Sequence, residues 1–166
     1  LPEVDATPAA PEPADEKVRV SRANAEARIA PTRDGYVNAI QVWPFTDGAL
    51  YQVYAAPGRV TVVSLQPGEE LVTVAAGDTV RWIVGDTSSG SGDALRVNVL
   101  VKPIRSGLKT NLVITTNRRT YLLGLTSTEK AWMASVSWDY PKDRMLALQR
   151  QSQAASAAAP VDAGGS

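Results

Sequence analysis

Between Leu95 and Tyr140 apolar and polar side chains alternate along the chain. Leu95, Val97, Val99 and Val101 fall on one face of a first segment, with Arg96 and Asn98 on the other. Thr110, Leu112 and Ile114 share a face of the second, Tyr121, Leu123 and Leu125 of the third, and Trp132, Ala134, Val136, Trp138 and Tyr140 of the fourth. A repeat of two is the pattern of half-buried antiparallel strands, one face in the core and one in water. The short turn Thr116-Asn117-Arg118 contains an Asn that tolerates a left-handed backbone, which predicts a hairpin between residues 112–115 and 120–125.

Upstream, Val37–Trp43 alternates and stops at Pro44, and further strand runs follow at Ala49–Ala55, Arg59–Leu65, Leu71–Ala75 and Thr79–Val84. Gln66-Pro67-Gly68-Glu69 has Pro and Gly where a type II turn needs them. About nine strands in roughly a hundred residues, with closely spaced turns, predict an all-β fold, an antiparallel β-sandwich over residues 35–141. A closed barrel is the main alternative. The predicted core is Trp43, Val53, Val62, Leu71, Trp82, Val97, Val99, Leu112, Ile114, Leu123, Val136 and Trp138. Asp86–Asp93 has no apolar residue and reads as an exposed hairpin tip. Its glycines and serines lack the lysine and following helix of a phosphate-binding loop.

The flanks read differently. Residues 1–34 are predicted to be a disordered N-terminal segment. Leu1–Glu16 is rich in Pro and Ala and bears only acidic charge. Lys17–Asp34 is basic, with Lys17, Arg19, Arg22, Arg28 and Arg33 against Glu26 and Asp34, and Ala23–Ala30 suits a short helix that needs a partner to persist. After Pro141, good helix formers with a thin apolar stripe at Met145, Leu146 and Leu148 predict a linker helix over 142–156, with Asp143 placed well for the helix dipole. Residues 157–166 are predicted to be a disordered tail.

Composition narrows the chemistry. The 166 residues hold 17 basic and 17 acidic side chains, no Cys and no His. A balanced charge argues against direct nucleic-acid binding, and the missing residue types remove thiol, imidazole and zinc–thiolate chemistry. Adjacent strand residues such as Glu69 and Glu70 point to opposite faces and cannot flank one bond, and Ser106 near Lys109 fixes no geometry in its loop. No catalytic residue, cofactor or metal is predicted. No run is long enough to cross a bilayer as a helix.

What stands out is charge asymmetry. Lys102, Arg105, Lys109, Arg118 and Arg119 occur with no acid before Glu129. They read equally as a solvated face and as a protein-contact surface or guarded strand edge. Trp132, at a strand start after Glu129-Lys130, is the Trp expected to be exposed, and it joins the candidate contact residues. With Tyr51 or Tyr121 it would form the aromatic cluster of an alternative, a soluble periplasmic β-sandwich module binding peptide or carbohydrate.

Lys102-Pro103, then the run Gly107–Thr116 (GLKTNLVITT), then Arg118-Arg119-Thr120-Tyr121, then Val136–Pro141 (VSWDYP), resemble the TrbG/CagX family of conjugal transfer proteins of type IV secretion systems. The resemblance implies a structural subunit of the periplasmic and outer-membrane core complex, ring-forming through its β-sandwich. It implies as partners further copies of itself, a TrbI/VirB-type protein anchored in the inner membrane, and a small outer-membrane lipoprotein met by a second, C-terminal domain that would follow residues 157–166. The implied location is the periplasm, associated with the outer membrane through the complex.

Overall fold

The computed structural model describes residues 15–158. Among these residues eleven strands form two sheets, with one α-helix before them and one after. Helix α1 (Glu16–Ala27) leads into β1 (Arg28–Ile29), β2 (Tyr36–Val37), β3 (Ile40–Pro44), β4 (Leu50–Ala55) and β5 (Thr61–Ser64). Then come β6 (Leu71–Ala76), β7 (Trp82–Ser89), β8 (Arg96–Pro103), β9 (Lys109–Thr116), β10 (Thr120–Ser127), β11 (Ser135–Asp139) and helix α2 (Pro141–Ala158). The first sheet has the order β1-β4-β10-β9-β6 and the second β2-β3-β11-β5-β8-β7.

The expected hairpin is present, with Thr115 opposite Thr120 and Leu112 opposite Leu123. Its turn differs from expectation. Asn117 is not left-handed, and Asn38 is the non-glycine residue with a positive φ among the described residues. Asn117 instead brackets Glu70: its backbone N–H donates to the Glu70 carbonyl at 3.0 Å, and its Oδ1 accepts from the Glu70 N–H at 2.9 Å. The Gln66–Glu69 turn is as read, closed by Glu69 N–H to the Gln66 carbonyl at 3.0 Å, with Gly68 at φ +83°.

The sheets are mixed, which corrects the purely antiparallel expectation. β4 runs parallel to both β1 and β10, and β11 runs parallel to both β3 and β5. Alternation reports which face of a strand is buried. It carries no information about the direction of a neighbour distant in sequence.

One core fills the space between the sheets. Tyr51 of β4 and Tyr121 of β10 meet Trp43 of β3 and Trp138 of β11, with ring centroids 5.1 Å apart for Trp43–Tyr51 and 4.7 Å for Tyr121–Trp138. Trp43, Val53, Trp82, Val99, Leu112, Ile114, Leu123, Val136 and Trp138 are buried as predicted. Three members of the predicted core are not fully inside. Leu71 and Val97 pack at its margin, and Val62 lies on the outer side of its sheet while Val63 points in. The adjacent pair Val62-Val63 fits either phase of the alternation, and the buried Thr61, whose hydroxyl donates to the Met133 carbonyl at 2.7 Å, settles it.

Order begins before residue 35. Arg28 and Ile29 pair with Leu50 and Tyr51. Trp43 Nε1 donates to the Ala30 carbonyl at 3.1 Å, and Thr32 N–H donates to Gln41 Oε1 at 2.9 Å. These contacts come from residues far along the chain, so local composition could not announce them. The helix expected over Ala23–Ala30 starts earlier, capped by Asp15, whose carboxylate accepts from Lys17 N–H at 2.9 Å. Strand β7 extends through the first half of the polar run, leaving a shorter loop after Ser89. The segment expected to be disordered over residues 1–34 is described from residue 15 onward, and the tail expected over 157–166 is described at residues 157 and 158, the end of α2; residues 1–14 and 159–166 lie outside the described residues.

Candidate functional site

The sequence pointed to five basic residues as one surface, and the fold separates them. At about 3.4 Å per residue, β9 holds Lys109 roughly 24 Å from the hairpin turn that bears Arg118. Lys102 is half-buried on β8 opposite Ile83, in the other sheet. Arg105 lies exposed in the loop between the sheets, its carbonyl accepting from the Ser127 hydroxyl. Arg118 is exposed but engaged, donating to Gln66 Oε1 at 2.8 Å and to the Pro67 and Gly68 carbonyls.

Arg119 is turned inward, a correction to its reading as a contact residue, because two carboxylates and two rings wait for it there. Its side chain is 8% exposed, and Nη1 donates to Glu69 Oε1 at 3.0 Å. Nη2 donates to Asp143 Oδ2 at 2.7 Å, at the first turn of α2. The guanidinium carbon lies 4.2 Å from the Tyr140 ring centroid and 5.4 Å from that of Phe45, a favourable cation–ring arrangement.

Glu69 anchors the other side. Its carboxylate accepts from Tyr121 Oη at 2.6 Å, from the Gln66 N–H at 3.0 Å and from the Thr116 hydroxyl. Tyr121 and Tyr140 share a hydrogen bond of 2.8 Å between their hydroxyls. Gln66 closes the loop, accepting from Arg119 at 2.9 Å and donating to Asp143 at 3.1 Å. The buried charge is thus paired and its hydrogen-bonding capacity used, the condition under which buried ions are tolerated.

Burial, then the neighbouring Tyr140 and Glu69, pushes the Tyr121 hydroxyl far above its ordinary range. Burial likewise raises Tyr140, to about 12. For Arg119 burial works against the charged form, but Tyr121, Glu69 and Asp143 outweigh it and hold the guanidinium protonated. The cluster is a locked set of donors and acceptors.

Sequence reasoning set Glu69 aside and missed Gln66, Tyr121 and Tyr140. Glu69 directly follows the Pro-Gly turn, so its side chain could have been assigned to the inner face. Nothing local announced the Arg119 that neutralises it. Trp132 is exposed as expected, at 38%, beneath Arg59 at 4.9 Å, with Nε1 donating to the Val60 carbonyl at 3.1 Å. Tyr51 and Tyr121 are buried, so the aromatic surface cluster of the alternative reading does not form.

These features define a class: a two-sheet β domain that holds an exiting helix on a buried ionic clamp. Among the described residues no helix is long and apolar enough to cross a membrane. The chain belongs to the CagX family of conjugal transfer proteins, whose sequence profile matches residues 38–162, from just before β3 past the end of α2. It is similar to a probable conjugal transfer protein TrbG of Sinorhizobium fredii (strain NBRC 101917 / NGR234), 41% identical over 91 residues. That alignment takes in 55% of this chain and 34% of the relative, so the chain matches about a third of that protein's length.

Proposed function

We propose that this chain is a structural subunit of the periplasmic core complex of a conjugative type IV secretion system, and that its two sheets form a β-sandwich building block of a ring. The observation that carries this reading is the family match, which spans both sheets and the helix that leaves them. The architecture suits the role. A rigid two-sheet body presents edges and flat faces to neighbours, and closed rings use different patches of identical subunits. Lys102, Arg105, Lys109, Arg118 and Trp132 are candidate contact residues at separate places on that body. The TrbI/VirB-type partner meets the assembled ring, and the outer-membrane lipoprotein meets a further domain of the same protein. No direct contact with nucleic acid is assigned to this domain.

The test is affinity purification of the full-length protein from detergent-solubilised envelopes of its host, with negative-stain imaging of the eluate. Ring-shaped particles containing a lipoprotein and a TrbI-like protein are expected. A lone monomer from a host carrying the whole transfer apparatus would overturn the reading.

A further inference from the structure

Four strands end the two sheets, and they are guarded unequally. β1 and β2 have two residues each, and β6 is irregular between Leu71 and Thr73. Short and bulged edges resist the pairing that unpaired backbone groups invite. β7 has neither device. It runs for 8 residues, WIVGDTSS, with no Lys, Arg or Pro.

The free backbone groups of β7 can be named. Ile104 N–H donates to the Arg81 carbonyl at 2.9 Å, and Trp82 lies opposite Pro103, which has no N–H to give. Bonded and non-bonded pairs alternate along an antiparallel ladder. The odd-numbered residues of β7 therefore bond to β8, and the backbone groups of Trp82, Val84, Asp86 and Ser88 face outward.

The side chains of β7 divide along its length. Asp86 and Ser88 lie opposite Val99 and Val97 on the core side of the sheet, yet both are exposed. There a groove of about 880 Å³ opens between β7 and the start of β6, lined by Glu70, Asp86 and Asp93 together with Leu71 and Val97. Among the described residues these three carboxylates take part in no salt bridge. Arg118 offsets one of them, and Glu69 is neutralised by Arg119, so the groove keeps an excess of negative charge. At the other end of β7 the surface is apolar, with Val80 83%, Ile83 55% and Ile104 53% exposed.

We propose that β7 is a strand-addition site for an extended segment of a different protein, basic where it passes Asp86 and Asp93 and apolar where it passes Trp82–Val84. Main-chain hydrogen bonds to a free edge supply affinity in this mode, and alternate side chains supply specificity. A second copy of β7 is the wrong occupant, because it would bring its own Asp86 and Asp93 to an acidic groove. The site goes beyond the ring reading and does not depend on it.

The probe is a fluorescent, end-capped octapeptide, Lys-Thr-Lys-Thr-Val-Ile-Val-Thr, titrated against the full-length protein. Laid antiparallel to β7, it sets its lysines opposite Ser88 and Asp86, its valines opposite Val84 and Trp82, and its isoleucine opposite Ile83. Saturable binding is expected, with slowed hydrogen exchange of the Val84, Asp86 and Ser88 amides. N-methylation of the second lysine and first valine, which keeps every charge and removes two ladder donors, should weaken binding at least tenfold. Ser88→Pro, which removes an outward N–H and no bond to β8, should do the same, as should Asp86→Lys with Asp93→Lys. Equal binding of the N-methylated peptide would reduce the site to charge attraction and overturn strand addition, and so would the absence of binding. In host envelopes a photo-crosslinking residue at Thr87 should attach a basic segment of another protein, and lose it in Ser88→Pro. An adduct with a second copy of this chain, or with a segment lacking basic residues, would overturn the assigned partner.

Discussion

Arg119 Nη1 lies 3.0 Å from Glu69 Oε1, with the two side chains 8% and 0% exposed. The same guanidinium holds Asp143, which is 41% exposed, at the start of α2. One arginine therefore ties the turn after β5, the β9–β10 hairpin and the exit helix together, with a shielded ion pair on one side and a partly solvated one on the other.

Removing one member of the shielded pair strands a charge in the interior. Arg119→Met is expected to destabilise the domain by about 3–5 kcal/mol, the range for breaking a buried pair. Arg119→Met combined with Glu69→Leu should recover part of that loss, since no unpaired ion remains. Urea unfolding of the four proteins of this cycle measures the coupling, and additive effects would show that the pair does not act as a unit.

Asp143 acts on the helix more than on the core. Asp143→Ala should change global stability by about 1 kcal/mol or less, as befits a partly exposed pair. It should markedly speed hydrogen exchange over residues 141–158, where α2 otherwise exposes Met145, Leu146 and Leu148. Unchanged exchange would mean that Arg144 N–H to the Tyr140 carbonyl, at 2.9 Å, holds the helix unaided.

Tyr140 sets an alkaline limit. Its hydroxyl is raised to about 12, so the folded state keeps the proton where the unfolded chain has lost it. Stability is intact below about pH 10 and falls as pH rises toward about 12, by about 2–3 kcal/mol at about 1.4 kcal/mol per unit. Tyr121, also raised, adds to the same slope. Tyr140→Phe should flatten the decline in unfolding free energy over this window, and an unaltered slope would remove Tyr140 as its cause.

The four tryptophans divide sharply. Trp43, Trp82 and Trp138 are buried and Trp132 is exposed. Acrylamide should quench a fraction of the fluorescence that disappears in Trp132→Phe. Trp138→Ala should cost about 3–5 kcal/mol, and Trp132→Ala about 1 kcal/mol, for a ring held by Arg59 and one hydrogen bond.

The alternation from Leu95 to Tyr140 by itself determined four strands, one hairpin and the burial of Trp138. The change of period after Pro141 determined α2. Those features are local, because a strand face and a helix stripe are written within a few residues. Only the tertiary structure decided that β10 lies parallel to β4 and β11 parallel to β3, since strand direction depends on neighbours far away in sequence. It also decided the fate of the basic residues. Lys109 and Arg118 look contiguous in the sequence but sit at opposite ends of a strand, whereas Glu69, Arg119 and Asp143 are remote in sequence and meet in space. A charge in a sequence has no address until the chain has folded, because its partner is chosen by distance and dielectric environment.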